Sequence, residues 1–255
     1  MFELEKYEVP SYSFLKNMLS SPAEAVWKKQ NPTETSKVQH EGNVFEAHIC
    51  RTLEGFERIN LDERPEPNKT MAAKANKEWF NDLTARLEQQ GKTPVDDELW
   101  RRAKYAQAQI PLLPDSMKFQ VEIQGELGGM KYRGYADGLY ENGDILEMKT
   151  VHPNLFHSAA KRNYWDMQGA MYLHATGGEK VVYLAVGTSY PCPHRFFHMY
   201  KGNEDYLKAL KLAEQALEAF YTCKADHNLF CMGPEYWHPL PTETHFNRYI
   251  PEWNE

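Results

Sequence analysis

Three charged residues, Asp137, Glu147 and Lys149, stand in two short runs of alternating residues. Asp137 ends the first run, and Glu147 and Lys149 lie two positions apart in the second. Because residues i and i+2 of a strand point to the same face, Glu147 and Lys149 should stand side by side. Asn142-Gly143 between the runs predicts a tight turn, which would fold the strands together and bring Asp137 next to the pair.

Two carboxylates and one ammonium on one sheet face suit chemistry on phosphate better than they suit a core. Carboxylate oxygens are good ligands for Mg²⁺, and we expect Mn²⁺ to substitute. A lysine beside such a site can position a water molecule or stabilise charge in the transition state. The alternative is an ordinary solvated hairpin rim, since a spacing this short also arises by chance.

The residues that follow predict one long helix over 154–176, closed by Gly177-Gly178. One face of this helix would lie beside the hairpin and carry polar and aromatic side chains, an arrangement that favours contact with phosphate. The alternative is an amphipathic helix whose aromatic residues are simply core. The residues of this face, spaced by four, three and four positions, are Lys161, Trp165, Gln168 and Tyr172.

Asp137 and Glu147-Met148-Lys149 resemble the motif of the PD-(D/E)XK nuclease superfamily, in particular its phage-type exonuclease branch, which includes relatives of RecE, lambda exonuclease and the RecB-like nucleases. Gln168-x-x-x-Tyr172 resembles the QxxxY motif of that branch. The opening segment 11–16, followed by Ser21-Pro22, is similar as well. The resemblance runs from about residue 11 to residue 183.

The resemblance implies a metal-dependent deoxyribonuclease, most simply an exonuclease that acts on double-stranded DNA ends in recombination or repair. In this interpretation Asp137, Glu147 and Lys149 are catalytic, and Lys149 orients or activates the attacking water. The metal ligands would be Glu46, Asp137, Glu147 and the Met148 carbonyl, and the DNA-binding residues would be Ser13, Lys161, Gln168 and Tyr172. For Gln168 and Tyr172 the alternative is that they hold the side chains of the motif itself. Two alternatives stay open: a non-catalytic nucleic-acid-binding or assembly module on the same fold, and an endonuclease.

One ligand position has two candidates. Gly42 is followed four residues later by Glu46, where the exonuclease branch often has histidine, and His48 lies two positions further on. A helix cannot direct positions i and i+2 to one point, so only one of them is a ligand. We favour Glu46 because of its position and its oxygen chemistry.

The resemblance also implies partners. They are the double-stranded DNA ends themselves, a single-strand annealing recombination protein, and further copies of this chain in a closed trimeric or tetrameric ring. An aromatic C-terminal tail is a candidate subunit contact, although packing on its own domain is an equal alternative. Its aromatic residues are Tyr236, Trp237, Phe246, Tyr249 and Trp253.

The cysteines raise the question of a second metal site. Cys50 lies early and three others lie late, in the order that some iron–sulfur relatives show, but without close Cys-x-x-Cys spacing. His194 and His227 add nitrogen ligands for an alternative zinc site. We expect ordinary thiols and neither an iron–sulfur cluster nor zinc. The late cysteines are Cys192, Cys223 and Cys231.

Composition is that of a globular protein: the 255 residues are 42% hydrophobic and 25% charged. A net charge of −7 allows nucleic-acid binding only where a groove is locally basic. The chain shows no signal peptide and no apolar run of about 18 residues, so we expect a cytoplasmic protein of a bacterial host or prophage, without membrane contact. The basic clusters, which are ordinarily solvated helix faces, are Lys28-Lys29, Arg101-Arg102-x-Lys104 and Lys161-Arg162.

These elements predict an α/β fold with a restriction-endonuclease-like core, in which a mixed central sheet is flanked by helices. We expect a single domain over 1–255, with a mostly helical part (1–115), a catalytic sheet and motif helix (116–200) and a C-terminal helix and tail (201–255). Loops are predicted at 31–41 and 59–70. A first helix, capped by Ser11 or Ser13, is predicted to reach about residue 29. Further helices are predicted at about 42–54, 72–90, 96–108, 154–176 and 204–223, and strands at 118–127, 130–140, 144–150, 180–186 and 195–200.

Overall fold

The computed structural model describes residues 9–32, 36–66, 68 and 70–225. They divide into two compact units. The first takes its residues from Met1–Glu34, Pro114–Ala185 and Arg195–Glu255, and the second from Thr35–Leu113 and Val186–His194. The prediction that the chain forms a single domain stays a prediction. The aromatic tail lies outside the described residues.

The described elements follow one another in a mostly helical first half and a mixed second half. The helices are α1 (Tyr12–Met18), α2 (Pro22–Gln30), α3 (Lys37–Ile49), α4 (Lys74–Gln89), α5 (Asp97–Gln109), α6 (Phe156–Asn163), α7 (Trp165–Thr176) and α8 (Glu204–Ala225). The strands are β1 (Phe56–Arg58), β2 (Thr93–Val95), β3 (Lys118–Leu127), β4 (Met130–Leu139), β5 (Ile145–Lys149), β6 (Lys180–Val186) and β7 (His194–Tyr200). Short 3₁₀ turns lie at Leu61–Glu63 and Pro153–Leu155.

The first unit is built on a five-stranded sheet in the order β3-β4-β5-β6-β7. β4 pairs antiparallel with both β3 and β5, whereas β5 pairs parallel with β6. The sheet is therefore mixed, and helices of the same unit flank it. The predicted fold class, α/β with a mixed central sheet flanked by helices, is confirmed.

Two strands show why this sheet forms where it does. β4 alternates exposed residues with buried ones such as Tyr132 and Ala136, as a strand with one covered face should. β6 reads Lys-Val-Val-Tyr-Leu-Ala-Val and is buried almost throughout. A continuous apolar run is typical of an interior strand with parallel pairing. β3, β6 and β7 match their predicted bounds to within one residue.

The helices of the first unit share one core with the sheet. α7 packs against β3 and β5, and α8 packs against α7, α1 and β4. Phe14 of α1 meets Phe220 of α8 edge to face, with ring centroids 5.6 Å apart. Phe156 of α6 stacks on Phe197 of β7 at 4.1 Å. The motif helix α7 is thereby held between the sheet and α8.

The second unit contains α3, α4, α5 and a small parallel pair, β1 with β2. α3 packs on α5, and α4 packs on β2. The predicted loop at 31–41 is wrong over its last five residues, because α3 begins at Lys37. Ser36 and Gln39 form a capping box there: each side chain accepts a hydrogen bond from the other's main-chain N–H.

The predicted first helix over 11–29 is also wrong as one element. Ser11 caps α1, which ends at Met18. Ser21 then caps α2, and Pro22 occupies the first helical position, where proline is well tolerated. None of the helices in the described ranges is both long enough and apolar enough to span a membrane.

Candidate active site

The hairpin turn between β4 and β5 is fixed by hydrogen bonds on both sides. The Tyr140 N–H donates to the Asp144 carbonyl at 3.0 Å, and the Gly143 N–H donates to the Tyr140 carbonyl at 3.0 Å. Gly143 has φ +85°, a left-handed conformation that glycine adopts without strain. The buried Asp144 carboxylate accepts from the main-chain N–H groups of Glu179 and Lys180 at 2.8 and 3.0 Å. This carboxylate ties the turn to the start of β6.

The hairpin brings the three charged residues together as predicted. Lys149 Nζ lies 2.8 Å from Glu147 Oε2, so the i, i+2 pair shares a face. The Met148 N–H donates to Asp137 Oδ2 at 2.6 Å, which places Asp137 against the same strand. Glu147 is 0% exposed, so this is no solvated hairpin rim. The predicted juxtaposition is confirmed, and the catalytic and metal-binding roles stay predictions.

The motif helix α7 adds an amide, a phenol and an indole to this cluster. Lys149 Nζ donates to Gln168 Oε1 at 3.0 Å, and Gln168 Nε2 donates to the Tyr172 hydroxyl at 3.5 Å. The Trp165 ring centroid lies 5.6 Å from Lys149 Nζ, within the range of a cation–π interaction. Lys149 is therefore held from three sides, by Glu147, Gln168 and Trp165.

The prediction of one helix over 154–176 is wrong, because the helix is interrupted at Tyr164, between α6 and α7. Tyr164 has φ 58° and ψ 36°, a left-handed conformation that costs energy for a bulky residue. Residues on the two sides of this break do not continue one helical face. Lys161 lies on α6, so it does not share the face of α7 that carries Trp165, Gln168 and Tyr172.

Two tyrosine hydroxyls donate hydrogen bonds to main-chain carbonyls at this interruption between α6 and α7. Tyr12 of α1 donates to the carbonyls of Asn163 at 2.5 Å and Tyr164 at 3.1 Å. Tyr183 of β6 donates to the Trp165 carbonyl at 2.7 Å. These contacts hold the carbonyls of residues 163–165, where α6 ends and α7 begins, and so help to fix where Trp165 stands relative to Lys149. Neither tyrosine carries a sequence signal for this role, because each has the pattern of an ordinary core residue.

Burial shapes the electrostatics of the cluster. Burial raises the pKa of Asp137, although the Lys149 ammonium and the Met148 N–H act in the opposite direction. Burial also raises the pKa of Tyr172, with Glu147 adding to the effect. The Tyr172 phenol therefore stays protonated at neutral pH and serves as a neutral hydrogen-bonding group.

Lys16 of α1 is a further residue that sequence analysis did not single out. Burial lowers its pKa, and the nearby positive charge of Lys149 is the next largest cause. A second lysine therefore stands close enough to interact with Lys149 electrostatically. The only sequence signal was its place in the segment 11–16. Ser13, predicted to contact DNA, is exposed on the same helix.

The donor set of the hairpin suits Mg²⁺ better than zinc. Within the described ranges no group of three or more histidine, cysteine, aspartate or glutamate side chains comes together as a metal centre. A zinc site normally takes at least three protein ligands. Mg²⁺ is commonly held by one or two carboxylates, with water and substrate oxygens completing its shell. Asp137 and Glu147 match this pattern, and a bound cation would offset the cost of burying the Asp137 carboxylate.

Glu46 and His48 both lie on α3 in the second unit, but their side chains have different surroundings. His48 is 2% exposed and meets Trp100 edge to face, with ring centroids 4.5 Å apart. Burial lowers the pKa of His48, which is typical of a neutral core histidine. Glu46 is only partly buried, so its side chain is more accessible to solvent than that of His48. The choice of Glu46 as a metal ligand stays a prediction.

The cysteines that the structure describes are buried thiols: Cys50, Cys192 and Cys223. Burial raises the pKa of Cys192, so this thiol is neutral at pH 7. Cys231 and His227 lie outside the described residues. The expectation that the chain holds neither zinc nor an iron–sulfur cluster stays a prediction.

Gly169 of α7 gives a stability prediction. A Cβ at this position would overlap the hydroxyl of the buried Tyr183. The overlap should cost about 1–3 kcal/mol, more than the roughly 1 kcal/mol that alanine gains over glycine in a helix. We therefore expect Gly169→Ala to lower the free energy of unfolding, measured by urea denaturation. Gly55→Ala is the control, because no atom lies within 4 Å of its added Cβ. Equal stability of the two variants would contradict the packing described for α7.

Comparisons with known proteins give structural neighbours only. No model of a protein family matches the chain, and no curated protein matches its sequence. A protein of Eubacterium rectale that is provisionally named an exonuclease has a crystal structure with TM-score 0.56 and 16% identity, over 100% of this chain and 93% of that one. An alkaline exonuclease of Laribacter hongkongensis matches with TM-score 0.35 and 13% identity, over 73% of this chain and 95% of that one. The first similarity shows a common fold, and the second is too weak to carry an argument.

Proposed function

We propose that this chain is a metal-dependent deoxyribonuclease, and specifically an exonuclease of the phage type that acts on the ends of double-stranded DNA. The observation that carries the proposal is the partly buried Lys149 ammonium, held 2.8 Å from the buried Glu147 and 3.0 Å from Gln168, with Asp137 against the same strand. A protein core gains little from such a cluster, because ion pairing offsets the desolvation cost of buried charges only in part. The fold shared with a provisionally named exonuclease agrees with the proposal.

The reaction would be hydrolysis of a phosphodiester bond. A water oxygen attacks phosphorus, the bond from phosphorus to the leaving oxygen breaks, and the water gives up a proton. Lys149 would hold the attacking water or stabilise the charge that develops on the phosphate. Gln168 and Trp165 would keep Lys149 in place.

The hairpin residues that would hold the cation are Asp137, Glu147 and the Met148 carbonyl. Glu46 stays the candidate helix ligand that the sequence predicts. Mg²⁺ or Mn²⁺, when bound, supplies positive charge that stabilises the phosphate oxygens. Lys161 and Ser13 would contact the DNA backbone. The proposal extends to a closed ring of three or four copies and to a single-strand annealing protein as the recipient of the product.

Digestion of linear and closed circular duplex DNA, each with added Mg²⁺, tests the proposed function. The proposal predicts that the linear form is degraded from its ends and that the circle persists. Cleavage of the circle would identify an endonuclease. No cleavage of either form in Mg²⁺ or Mn²⁺, with DNA still bound, would identify a non-catalytic binding module.

Two substitutions on α3 separate the candidate helix ligands. Glu46→Gln should weaken Mn²⁺ binding on the order of tenfold or more, because a charged oxygen ligand is lost. His48→Gln should change Mn²⁺ binding little, since His48 lies against Trp100. Calorimetric titration of both variants with Mn²⁺ measures the difference. The opposite ranking would show that His48 is the ligand.

A further inference from the structure

The second unit carries an exposed aromatic pair that the proposed function leaves unexplained. Tyr105 on α5 and Tyr190 in the segment 187–193 are 39% and 56% exposed. Their ring centroids lie 5.3 Å apart at an interplanar angle of 69°, so they pack edge to face. Two large aromatic rings that touch each other and remain in water are candidates for a binding surface.

The segment that carries Tyr190 is anchored on α5. The Arg102 guanidinium donates to the Thr188 carbonyl at 2.6 Å. The Cys192 thiol donates to the Arg102 carbonyl at 3.8 Å. One residue of α5 therefore holds the segment on both sides of Tyr190, through its side chain and through its main chain.

A main-chain hydrogen bond also joins the two ends of the segment 187–193. The Gly187 N–H donates to the Pro193 carbonyl at 2.8 Å. Cys192 has φ 52°, a strained conformation that persists only where the surroundings impose it. The backbone thus holds the Tyr190 ring at the surface, although burial of an aromatic ring is ordinarily favourable.

α5 presents basic side chains beside the two rings. The helix carries three basic residues, Arg101, Arg102 and Lys104, and its two acidic residues, Asp97 and Glu98, both lie in its first turn. Arg101 and Lys104 are exposed on the same helical stripe as Tyr105. Arg101 pairs with Asp97 at 2.7 Å, and that carboxylate also binds Arg58, so two guanidinium groups share one carboxylate there. Charge and aromatic surface together favour a polyanion that carries flat rings.

We propose that Tyr105, Tyr190, Arg101 and Lys104 form a platform that binds one strand of DNA. Bases stack on the tyrosine rings, and the basic side chains pair with phosphates, the combination by which proteins bind single strands without reading sequence. The platform deepens the proposed function and rests on it for the choice of DNA as the polyanion. It assigns a single strand, and not only the duplex, as a ligand of this chain.

Fluorescence anisotropy with a labelled fifteen-residue oligothymidylate tests the platform, in low salt with chelator so that no cleavage occurs. The double variant Tyr105→Ala/Tyr190→Ala should raise Kd at least about tenfold, as loss of base stacking does. Tyr105→Phe/Tyr190→Phe should bind like the wild type, because phenylalanine keeps the stacking face. When the titration is repeated over a series of salt concentrations, Lys104→Ala should lower the slope of log Kd against log salt by about one.

Tyr200→Ala is the matched control, since Tyr200 is 43% exposed and also lies beside an aromatic ring, that of His198. A wild-type protein that binds no oligothymidylate, or a double alanine variant within twofold of wild-type Kd, overturns the platform. If the double alanine variant does not fold, Lys104→Glu replaces it, and unchanged Kd for that variant overturns the platform.

A small substrate distinguishes a failure of the platform from a failure of the proposed function. Hydrolysis of thymidine 5′-monophosphate p-nitrophenyl ester needs no strand, so the double alanine variant should retain the wild-type rate. Wild-type protein that binds the oligonucleotide but hydrolyses neither ester nor DNA contradicts the proposed function and supports the platform. Hydrolysis of both without strand binding contradicts the platform alone.

Discussion

Replacement of Lys149 by alanine is expected to lower the rate of DNA cleavage on the order of 10²-fold or more, the usual loss when a preorganised charge-stabilising group is removed. The reason is geometric: the ammonium is held in place between Glu147, Gln168 and Trp165. The measurement is nucleotide release from labelled linear duplex in Mg²⁺.

The same substitution leaves the buried Glu147 carboxylate without the Lys149 ammonium, so stability must be followed in parallel. Loss of one partner of a buried pair can cost about 3–5 kcal/mol. Thermal denaturation by circular dichroism therefore accompanies the rate measurement. Lys208→Ala is the matched control, because Lys208 pairs with Glu204 at 2.6 Å on an exposed helix face. A folded Lys149→Ala variant with cleavage near the wild-type rate would show that the cluster is only structural.

Removal of divalent cations is expected to abolish cleavage. The acidic residues at the hairpin are oxygen donors, so Mg²⁺ or Mn²⁺ should restore activity after chelation, whereas Ca²⁺ should bind without supporting turnover. The measurement is cleavage of linear duplex after EDTA treatment, followed by titration with each ion. Undiminished cleavage in EDTA would show that the two carboxylates do not act through a metal.

The hairpin and sheet were predictable because their signals are local. Alternation of residues defines β4, an Asn-Gly turn joins it to β5, and an apolar run defines β6. The spacing of Glu147 and Lys149 then requires a shared face, as the 2.8 Å contact between them confirms. These predictions depend on the periodicity of a strand and need no knowledge of the rest of the chain.

The break in the motif helix was not predictable in the same way. Tyr164 is neither glycine nor asparagine, so nothing in its type indicates a left-handed residue. Its conformation accompanies contacts from distant elements, with Tyr12 and Tyr183 donating to carbonyls on either side of the break. Such contacts follow from tertiary structure and leave no pattern in the local sequence.

The beginnings of α3 and α2 were predicted wrongly although the local sequence marks them. The capping box of Ser36 and Gln39 and the Ser21-Pro22 pair are ordinary helix-start signals, and they mark the true beginnings of α3 and α2. The parallel pair of β1 and β2 is a different case. Each strand has only three residues and pairs with a partner 37 positions away in register, too short a run for periodicity to identify.

The most direct test of metal-dependent cleavage at the hairpin is nucleotide release from end-labelled linear duplex. The wild-type protein and Asp137→Asn are compared side by side in Mg²⁺. The variant keeps the size of the side chain and an oxygen that can accept from the Met148 N–H, but it loses the negative charge. We expect release by the wild type, and release slower on the order of 10²-fold by a folded variant. Equal release by both proteins, or none by the wild type in Mg²⁺ or Mn²⁺, would show that the chain is not a nuclease that acts through Asp137.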